Sequence, residues 1–394
     1  MNRIILIGNG FDLAHGLKTS YADFLNWYWE KRVLELRTEL SNVSSDDLCT
    51  LEINADCFKT WHLYFCLHGH ELKAMTGKEI VRRFSSDKTL FRVSKSGFFS
   101  RISSSDPQWS NIEYAYYRLL FPPAGNGPFP YDNKPKELNQ EFAFVRDLLI
   151  EYLNTIEKGI STEMVKQKIT TIIKEPFHKP DIAVGAMTQF PEINDRFDSR
   201  RVGNRRVTPE RIFPLNFNYT TLADLYFSDS RRAVTHIHGE LSKPDSIIFG
   251  YGDELDEGYK SMVNKNDNEY LRNIKSVKYL ESSDYRHLLE FIESSPYQIY
   301  IMGHSCGNSD RTLLNTLFEH KNCVSIKPFY YIKEDGTDNY MELVQNISRS
   351  FTDMKLMRDR VVNKAFCEPY SDARETALLD MPYRTDLFQV TCFK

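Results

Sequence analysis

The chain is expected to fold as an α/β protein: a mainly parallel sheet with helices on both faces, interrupted by a large, mostly helical insertion. Three observations lead there. Short apolar runs recur, each ending in a cluster of Gly, Asn, His or Ser that leads toward a helical pattern, which is the alternation of a parallel sheet. The rhythm breaks between about residues 41 and 205. It then resumes with the same kind of unit.

The first unit opens the chain. Arg3 to Ile7 reads as a strand and is followed by Gly8-Asn9-Gly10-Phe11-Asp12. The next helix is expected to start near Thr19-Ser20, with Asp23 placed to complete a capping box, and to run toward Leu40. Tyr21, Phe24, Leu25, Tyr28, Leu36 and Leu40 give it one apolar face at helical spacing. Within 41–205, Phe58–Leu72 and Glu137–Ile156 look helical, Phe121–Pro128 is a Pro- and Gly-rich loop, and Arg200–Arg206 has no core-forming period. Afterwards Arg211–Leu215 leads to Asn216-Phe217-Asn218-Tyr219-Thr220, and Ala233–Thr235 leads to His236-Ile237-His238-Gly239. Ser246–Phe249 ends at Gly250-Tyr251-Gly252, and Gln298–Met302 ends at Gly303-His304-Ser305. A helix from Ser309 to Phe318 and a strand from Val324 to Ile332 follow. Residues 1–40 and 206–394 are thus read as one α/β domain that carries 41–205 as its insertion.

Composition fits this and excludes other classes. The 394 residues suit two or three domains, or one with a large insertion. Hydrophobic content of 41% and charged content of 26% exclude a disordered or fibrous chain. With 26 Phe, 22 Tyr and 4 Trp, bulky side chains suffice for a substantial core. A net charge of -4 supplies no global field to hold nucleic acid or an anionic membrane. No stretch approaches the roughly 20 apolar residues of a membrane span, and the apolar run Ile4–Ile7 is too short for an export signal. The seven cysteines are odd in number and lack a Cys-x-x-Cys pair, so reduced thiols and a cytoplasmic location are expected.

Parallel sheets bind ligands outside the carboxyl ends of their strands, which is where these polar clusters fall. Gly8-Asn9-Gly10 is half of a Rossmann-like dinucleotide fingerprint, with Leu13 where the third glycine would stand. Its glycines permit a tight turn and an approach of backbone N–H groups to phosphate, and Asp12 is placed either to bind a ribose hydroxyl or to cap a helix. Asn216 with Asn218, and His236 with His238, are two apart, so in extended segments each pair projects to one side. A neutral imidazole takes a hydroxyl proton near neutral pH, and an amide orients water or a sugar hydroxyl. The alternative is that these groups satisfy backbone donors where strands end. Gly303-His304-Ser305-Cys306-Gly307 fits the nucleophile-elbow pattern, but His320, the one histidine after Ser305, lies on the helix continuing from the elbow. Ser305 is therefore read as a ligand contact, with Asp310 a second contact or a cap. His62, Cys66 and His70 align on one helix without closing a metal shell, and the arginines at 200, 201, 205 and 206 are a solvated loop or a phosphate grip.

The opening Ile5–Leu25 closely resembles the start of the AbiH family of bacterial abortive-infection proteins. The resemblance continues at Trp109 with Asn111-Ile112-Glu113, at Asn216–Thr220, at His238-Gly239, at Ile248–Gly252 and at Gly303-His304-Ser305 with Asp310. It implies a role in limiting phage infection rather than a reaction. A more distant resemblance, to sirtuin-like NAD-hydrolysing domains, supplies one. Those domains use in order a Gly-x-Gly turn, an Asn near a strand end, a His-Gly pair and a Gly-x-Ser turn, matched here by Gly8–Gly10, Asn218-Tyr219, His238-Gly239 and Gly303–Ser305. The resemblance implies that Asn218 and His238 are catalytic and that Gly8, Gly10 and Ser305 touch the dinucleotide. Asn9, Asp12, Asn216, Gly303 and Asp310 complete the expected binding set. Thr220 stands where the related pattern has an acid, and the four-cysteine zinc module of deacylases is missing. NAD is thus the expected substrate, without a required metal. A phage-derived trigger is expected, and oligomerisation is a workable switch because closing an active site between subunits needs no new residues. A nucleotide-binding regulator without turnover and a nucleic-acid-cleaving effector are the alternatives.

Overall fold

A computed structural model describes residues 1–38, 42–54, 76–85, 91–104, 109–121, 131, 134–197, 206–228 and 234–372. The expected helix at Phe58–Leu72, the column His62, Cys66 and His70, the body of the loop after Phe121, Arg200, Arg201 and Arg205 lie outside these residues.

Nine strands are described: β1 (Asn2–Ile7), β2 (Val43–Ser45), β3 (Cys49–Ile53), β4 (Phe91–Lys95), β5 (Ile212–Asn216), β6 (Thr235–His236), β7 (Tyr297–Met302), β8 (Cys323–Ile332) and β9 (Pro369–Asp372). Six of them form one sheet in the order β6-β5-β1-β7-β8-β9, and every neighbouring pair is parallel. Numbered along the sheet's own strands this is 3-2-1-4-5-6, the doubly wound order, whose direction reverses between β1 and β7. The sheet is wholly rather than mainly parallel. Its two central strands are buried at every residue, as strands covered on both faces must be.

Alternation divides the sheet cleanly. Ile4 and Leu6 share one face with Leu215, Ile299, Ile301 and Ile326, under the helices Asp284–Ser294, Arg311–Glu319 and Tyr340–Arg349. Ile5 and Ile7 share the other with Tyr300, Met302 and Phe329, under Phe11, Ile169, Ile172 and Ile173. Each such side chain taken fully out of water contributes about 1.5–3 kcal/mol.

The helix Tyr21–Thr38 begins where the capping box requires. Ser20 N–H donates to Asp23 Oδ2 at 3.2 Å, and Asp23 N–H donates back to Ser20 Oγ at 3.1 Å. An additional helix, Asn9–Ala14, starts inside the first polar cluster. The expected strand at Ser246–Phe249 is absent: Pro244–Ser246 is a 3₁₀ turn, and Ile248 N–H donates to His238 O at 2.8 Å. The reason is a tight wrap of this segment, in which a Cβ on Gly239 would lie 2.1 Å from Ser246 O. Of the strand expected over Ala233–Thr235, Ala233 lies outside the described residues and Val234 is not in a strand, so that β6 is Thr235–His236, and β9 is an addition at the sheet edge.

The region 41–205 carries helices, among them the 23-residue Pro135–Glu157, and also the antiparallel sheet β2–β3–β4, which the apolar pattern did not suggest. Its core joins Leu51, Phe98, Tyr116, Phe142 and Leu149 to Phe24 and Tyr28 of the helix Tyr21–Thr38 and to Phe249, Tyr251 and Ile274. Phe177, Ile182 and Ile193 instead pack with Met1 and Val324 at the main sheet. Among the described residues no helix is long and apolar enough to cross a membrane, and the four described cysteines are free.

Candidate functional site

The reversal point between β1 and β7 is built from glycine. Gly8 N–H donates to Met302 O at 3.2 Å, and Gly10 N–H donates to Gly303 O at 2.9 Å. Gly303 has φ +75°, and a Cβ there would sit 2.1 Å from Phe11 N. A Cβ on Gly8 would sit 2.5 Å from His304 Cα. These glycines therefore serve the approach of two loops to each other. That corrects the expectation that their N–H groups face a phosphate, since both are donated to carbonyls of the neighbouring strand and loop. Asn9 lies half-buried at the start of the short helix.

On one side of this interlock stands Asp12, 2% exposed. Its carboxylate accepts from Asn218 Nδ2 at 2.8 Å and from Thr220 Oγ1 at 2.7 Å. Asp12 thus holds the loop after β5 rather than capping its helix. Burial pushes its carboxyl up to about 7, against the opposing bonds from Thr220 and Asn218. The second amide hydrogen of Asn218 goes to Gly8 O at 3.0 Å, so Oδ1 is what this side chain offers to a donor. Asn216 is fully buried. Its Oδ1 accepts from Asn218 N–H at 3.0 Å and its Nδ2 donates to Thr220 O at 3.3 Å. It shapes the loop from within. Thr220, which departs from the related pattern, is the second donor to Asp12.

The histidine pair diverges. His236 Nε2 lies 3.1 Å from Asp224 Oδ2 and its Nδ1 lies 3.4 Å from Asn218 O. His238 Nε2 instead lies 3.2 Å from Asp310 Oδ1 and 3.2 Å from the Tyr279 hydroxyl. The two-residue rule fails here because β6 stops at His236 and the chain turns, with Gly239 at φ +83°.

Asp310 is the hub of the second cluster. Its Oδ1 also accepts from Lys275 Nζ at 2.8 Å, and its Oδ2 lies 3.5 Å from His304 Nε2. Its side chain makes no cap. Lys275 reaches Glu113 at 3.0 Å, and Glu113 Oε1 accepts from Gly250 N–H at 3.3 Å. All these side chains are buried. Burial opposes ionisation of Asp310, but Lys275 and His238 outweigh it and hold the carboxyl well below the usual carboxylate range. Burial likewise opposes charge on Lys275, and the two carboxylates overcome it. Burial, helped by the Lys275 charge, pushes His238 down to about 4.

These charges fix tautomers. An ionised Asp310 only accepts, so His238 carries its proton on Nε2 and keeps the lone pair on Nδ1. Cys306 N–H donates to His304 Nδ1 at 3.0 Å, which places the His304 proton on Nε2, toward Asp310. Phe217 packs on both rings, at 4.1 Å from His304 and edge-on at 5.2 Å from His238. Phe217 lies between the Asp12 and Asp310 clusters in the chain, and among the described residues no hydrogen bond joins Asn218 to His238. Ser305 is exposed, and its carbonyl accepts from Asn346 Nδ2 at 2.9 Å. Among the described residues no group of three or more His, Cys, Asp or Glu is placed to hold a metal.

Sequence reasoning did not assign Glu113, Lys275, Tyr279 or His304 to the site. Glu113 and His304 stand inside recognisable motifs, whereas Lys275 and Tyr279 carry no local signal. Glu157, at the end of the long helix, adds another hold from the insertion, accepting Thr221 N–H at 3.3 Å and bonding the Thr221 hydroxyl.

The family described as Bacteriophage abortive infection AbiH matches residues 4–332, which takes in both clusters. No curated protein and no solved structure matches the chain significantly.

Proposed function

The chain belongs to the bacteriophage abortive infection AbiH family, and from that premise we propose that it limits phage infection by hydrolysing NAD at the nicotinamide–ribose bond. The observation that carries this reading is the buried His238, whose Nε2 lies 3.2 Å from Asp310 Oδ1 and whose Nδ1 is thereby left as the acceptor, at the carboxyl edge of a doubly wound sheet. A carboxylate-held neutral imidazole is a proton acceptor with a defined lone pair.

In the proposed reaction the bond from C1′ to the nicotinamide nitrogen breaks and its electron pair leaves with the ring, discharging the pyridinium. Water attacks C1′ through an oxocarbenium-like centre of the kind met in glycoside cleavage. The water proton passes to His238 Nδ1 and on to solvent. The leaving group needs little acid help because it departs neutral, so the protein's work is to place ribose and water and to offset positive charge. Asn218 Oδ1 holds the water, and Asp12 fixes the amide that presents it. Gly8, Gly10, Gly303, Asn9 and Ser305 line the approach, while Asn216 acts from behind by shaping the loop.

One observation favours a second reading, a nucleotide-binding regulator without turnover: both amide hydrogens of Asn218 are committed inside the protein. Nicotinamide release from NAD by purified protein, at low and high protein concentration and with phage-infected lysate as a source of trigger, separates the two. Release that is abolished in His238→Ala and reduced in Asn218→Ala is the expected result. Full cleavage by both variants would overturn the residue assignment. Tight NAD binding with no release under any condition would favour the regulator.

A further inference from the structure

We infer that Lys275, anchored by Glu113 of the insertion, is a positioning residue for His238: by taking one oxygen of Asp310 it keeps the imidazole in the form that accepts a proton. This rests on the reading of His238 as the reacting base. The geometry is specific. Lys275 Nζ at 2.8 Å and His238 Nε2 at 3.2 Å meet the same atom, Asp310 Oδ1. The lysine side chain is 2% exposed and lies 3.0 Å from Glu113, which comes from the helix Trp109–Leu120. A buried carboxylate whose only cationic partner is an imidazole draws a proton onto that imidazole, because an opposite charge at hydrogen-bond distance favours the charged form. A full ammonium charge on the same oxygen removes that demand, and its own field opposes a second positive charge nearby.

The groups that face His238 from each packed element are few. Asp310 and His304 come from the chain after β7, Lys275 and Tyr279 from the segment 275–281, and Phe217 from the loop after β5. Glu113 stands behind Lys275. Lys275 and Glu113 touch no atom expected to react, so their effect reaches the chemistry through Asp310.

The test needs no substrate. In protein labelled at its histidine rings, NMR follows the His238 signal, assigned by its loss in His238→Ala, between about pH 5 and pH 8. The wild-type ring is expected to stay neutral across this range. In Lys275→Met its midpoint is expected to rise by about 1–3 pH units into that range, and Lys275→Arg is expected to restore the wild-type behaviour. Should Lys275→Met fail to fold, the double variant Lys275→Met/Glu113→Gln removes the stranded second carboxylate and carries the same expectation. A His238 ring that stays neutral in the folded Lys275→Met or double variant would overturn the inference. Nicotinamide release is measured on the same samples. A shifted ring in a protein that never cleaves NAD defeats the glycohydrolase reading and leaves the role of Lys275 standing.

Discussion

Two lysines are buried among the described residues, each between two carboxylates, and they do different work. Lys327, on β8, lies 3.1 Å from Asp181 and 3.6 Å from Glu175. Around it Arg3 donates to Ile173 O at 3.0 Å and Glu175 O at 2.8 Å, stacks 3.9 Å from the Tyr300 ring, and bonds Gln298 Oε1 at 3.3 Å. Two cations there meet two carboxylates. All of them lie on strand faces or on the segment that covers them, so the cluster fastens 173–181 to the sheet. Lys275 lies beyond the strand ends, where two carboxylates outnumber it and one of them also receives two imidazoles. Burial of charge is common to both clusters and marks neither as a site. What separates them is position past the carboxyl ends and the sharing of one carboxylate between a fixed cation and a titratable ring.

The comparison is most sharply tested at His238. Replacement by Ala is expected to lower nicotinamide release per folded molecule about 10²–10⁴-fold, with a smaller loss of stability than Lys327→Met because the ring carries no net charge and Asp310 keeps Lys275. A large fall in melting temperature would make the upper cluster a fastening like the lower one. Lys327→Met is the mirror experiment: breaking a buried pair by removing one partner costs about 3–5 kcal/mol, read by urea unfolding, while release per folded molecule is expected to stay at the wild-type level. Loss of release in the folded protein would erase the distinction.

Between these stands Gly303→Ala. A side chain at φ +75° and 2.1 Å from Phe11 N is expected to cost about 1–3 kcal/mol from backbone strain alone, more where the loops must part. Release is expected to fall with it, since the same contact aligns Asp12 with the loop that carries His304. The smallest effect belongs to His236, two residues from His238 but paired with Asp224, whose side chain is 41% exposed. Burial lowers the basicity of His236, and the hydrogen bond and charge of Asp224 more than restore it, so its pKa stands above 6.5. A raised folded value stabilises fully below 6.5 and is lost as pH rises through that raised value. A half-exposed pair limits the gain to about 1 kcal/mol. His236→Gln is expected to flatten that small alkaline loss in pH-dependent melts and to spare catalysis.

Much of the sheet was legible because β1, β7 and β8 are apolar apart from Asn2, Arg3, Gln298, Ser325 and Lys327, and covered parallel strands leave that trace. Asn216–Thr220, His238 and Gly303–Asp310 were legible as polar clusters at strand ends. Ile247–Phe249 has the composition of a strand without being one, since its apolar side chains are buried by a wrap around Gly239 that depends on distant packing. β2 and β3 are short and mixed in polarity, and Pro369–Asp372 has no apolar alternation at all. Lys275 was invisible for a different reason. A lysine is ordinarily solvated, and only the arrival of Glu113 and Asp310, 162 and 35 residues away, makes its burial tolerable. The divergence of His236 from His238 turned on one strand being two residues long.

The grip of Glu113 on Lys275 and of Glu157 on Thr221 has a consequence for how such chains diversify. An insertion joined to its host through apolar contact alone is exchangeable between relatives as a cassette, because many surfaces satisfy the same host. Here any replacement has to deliver one carboxylate to the buried Lys275 and one to the half-buried Thr221, one beside each polar cluster, besides the Glu175 and Asp181 that Lys327 receives. Recombination that brings in a new 41–205 segment without Glu113 and Glu157 would leave Lys275 with Asp310 as its one carboxylate and loosen the loop that holds Asp12. Inheritance of the two parts is thereby coupled, and freedom to vary is left to the surfaces of the insertion that face away from these acids and from the main sheet.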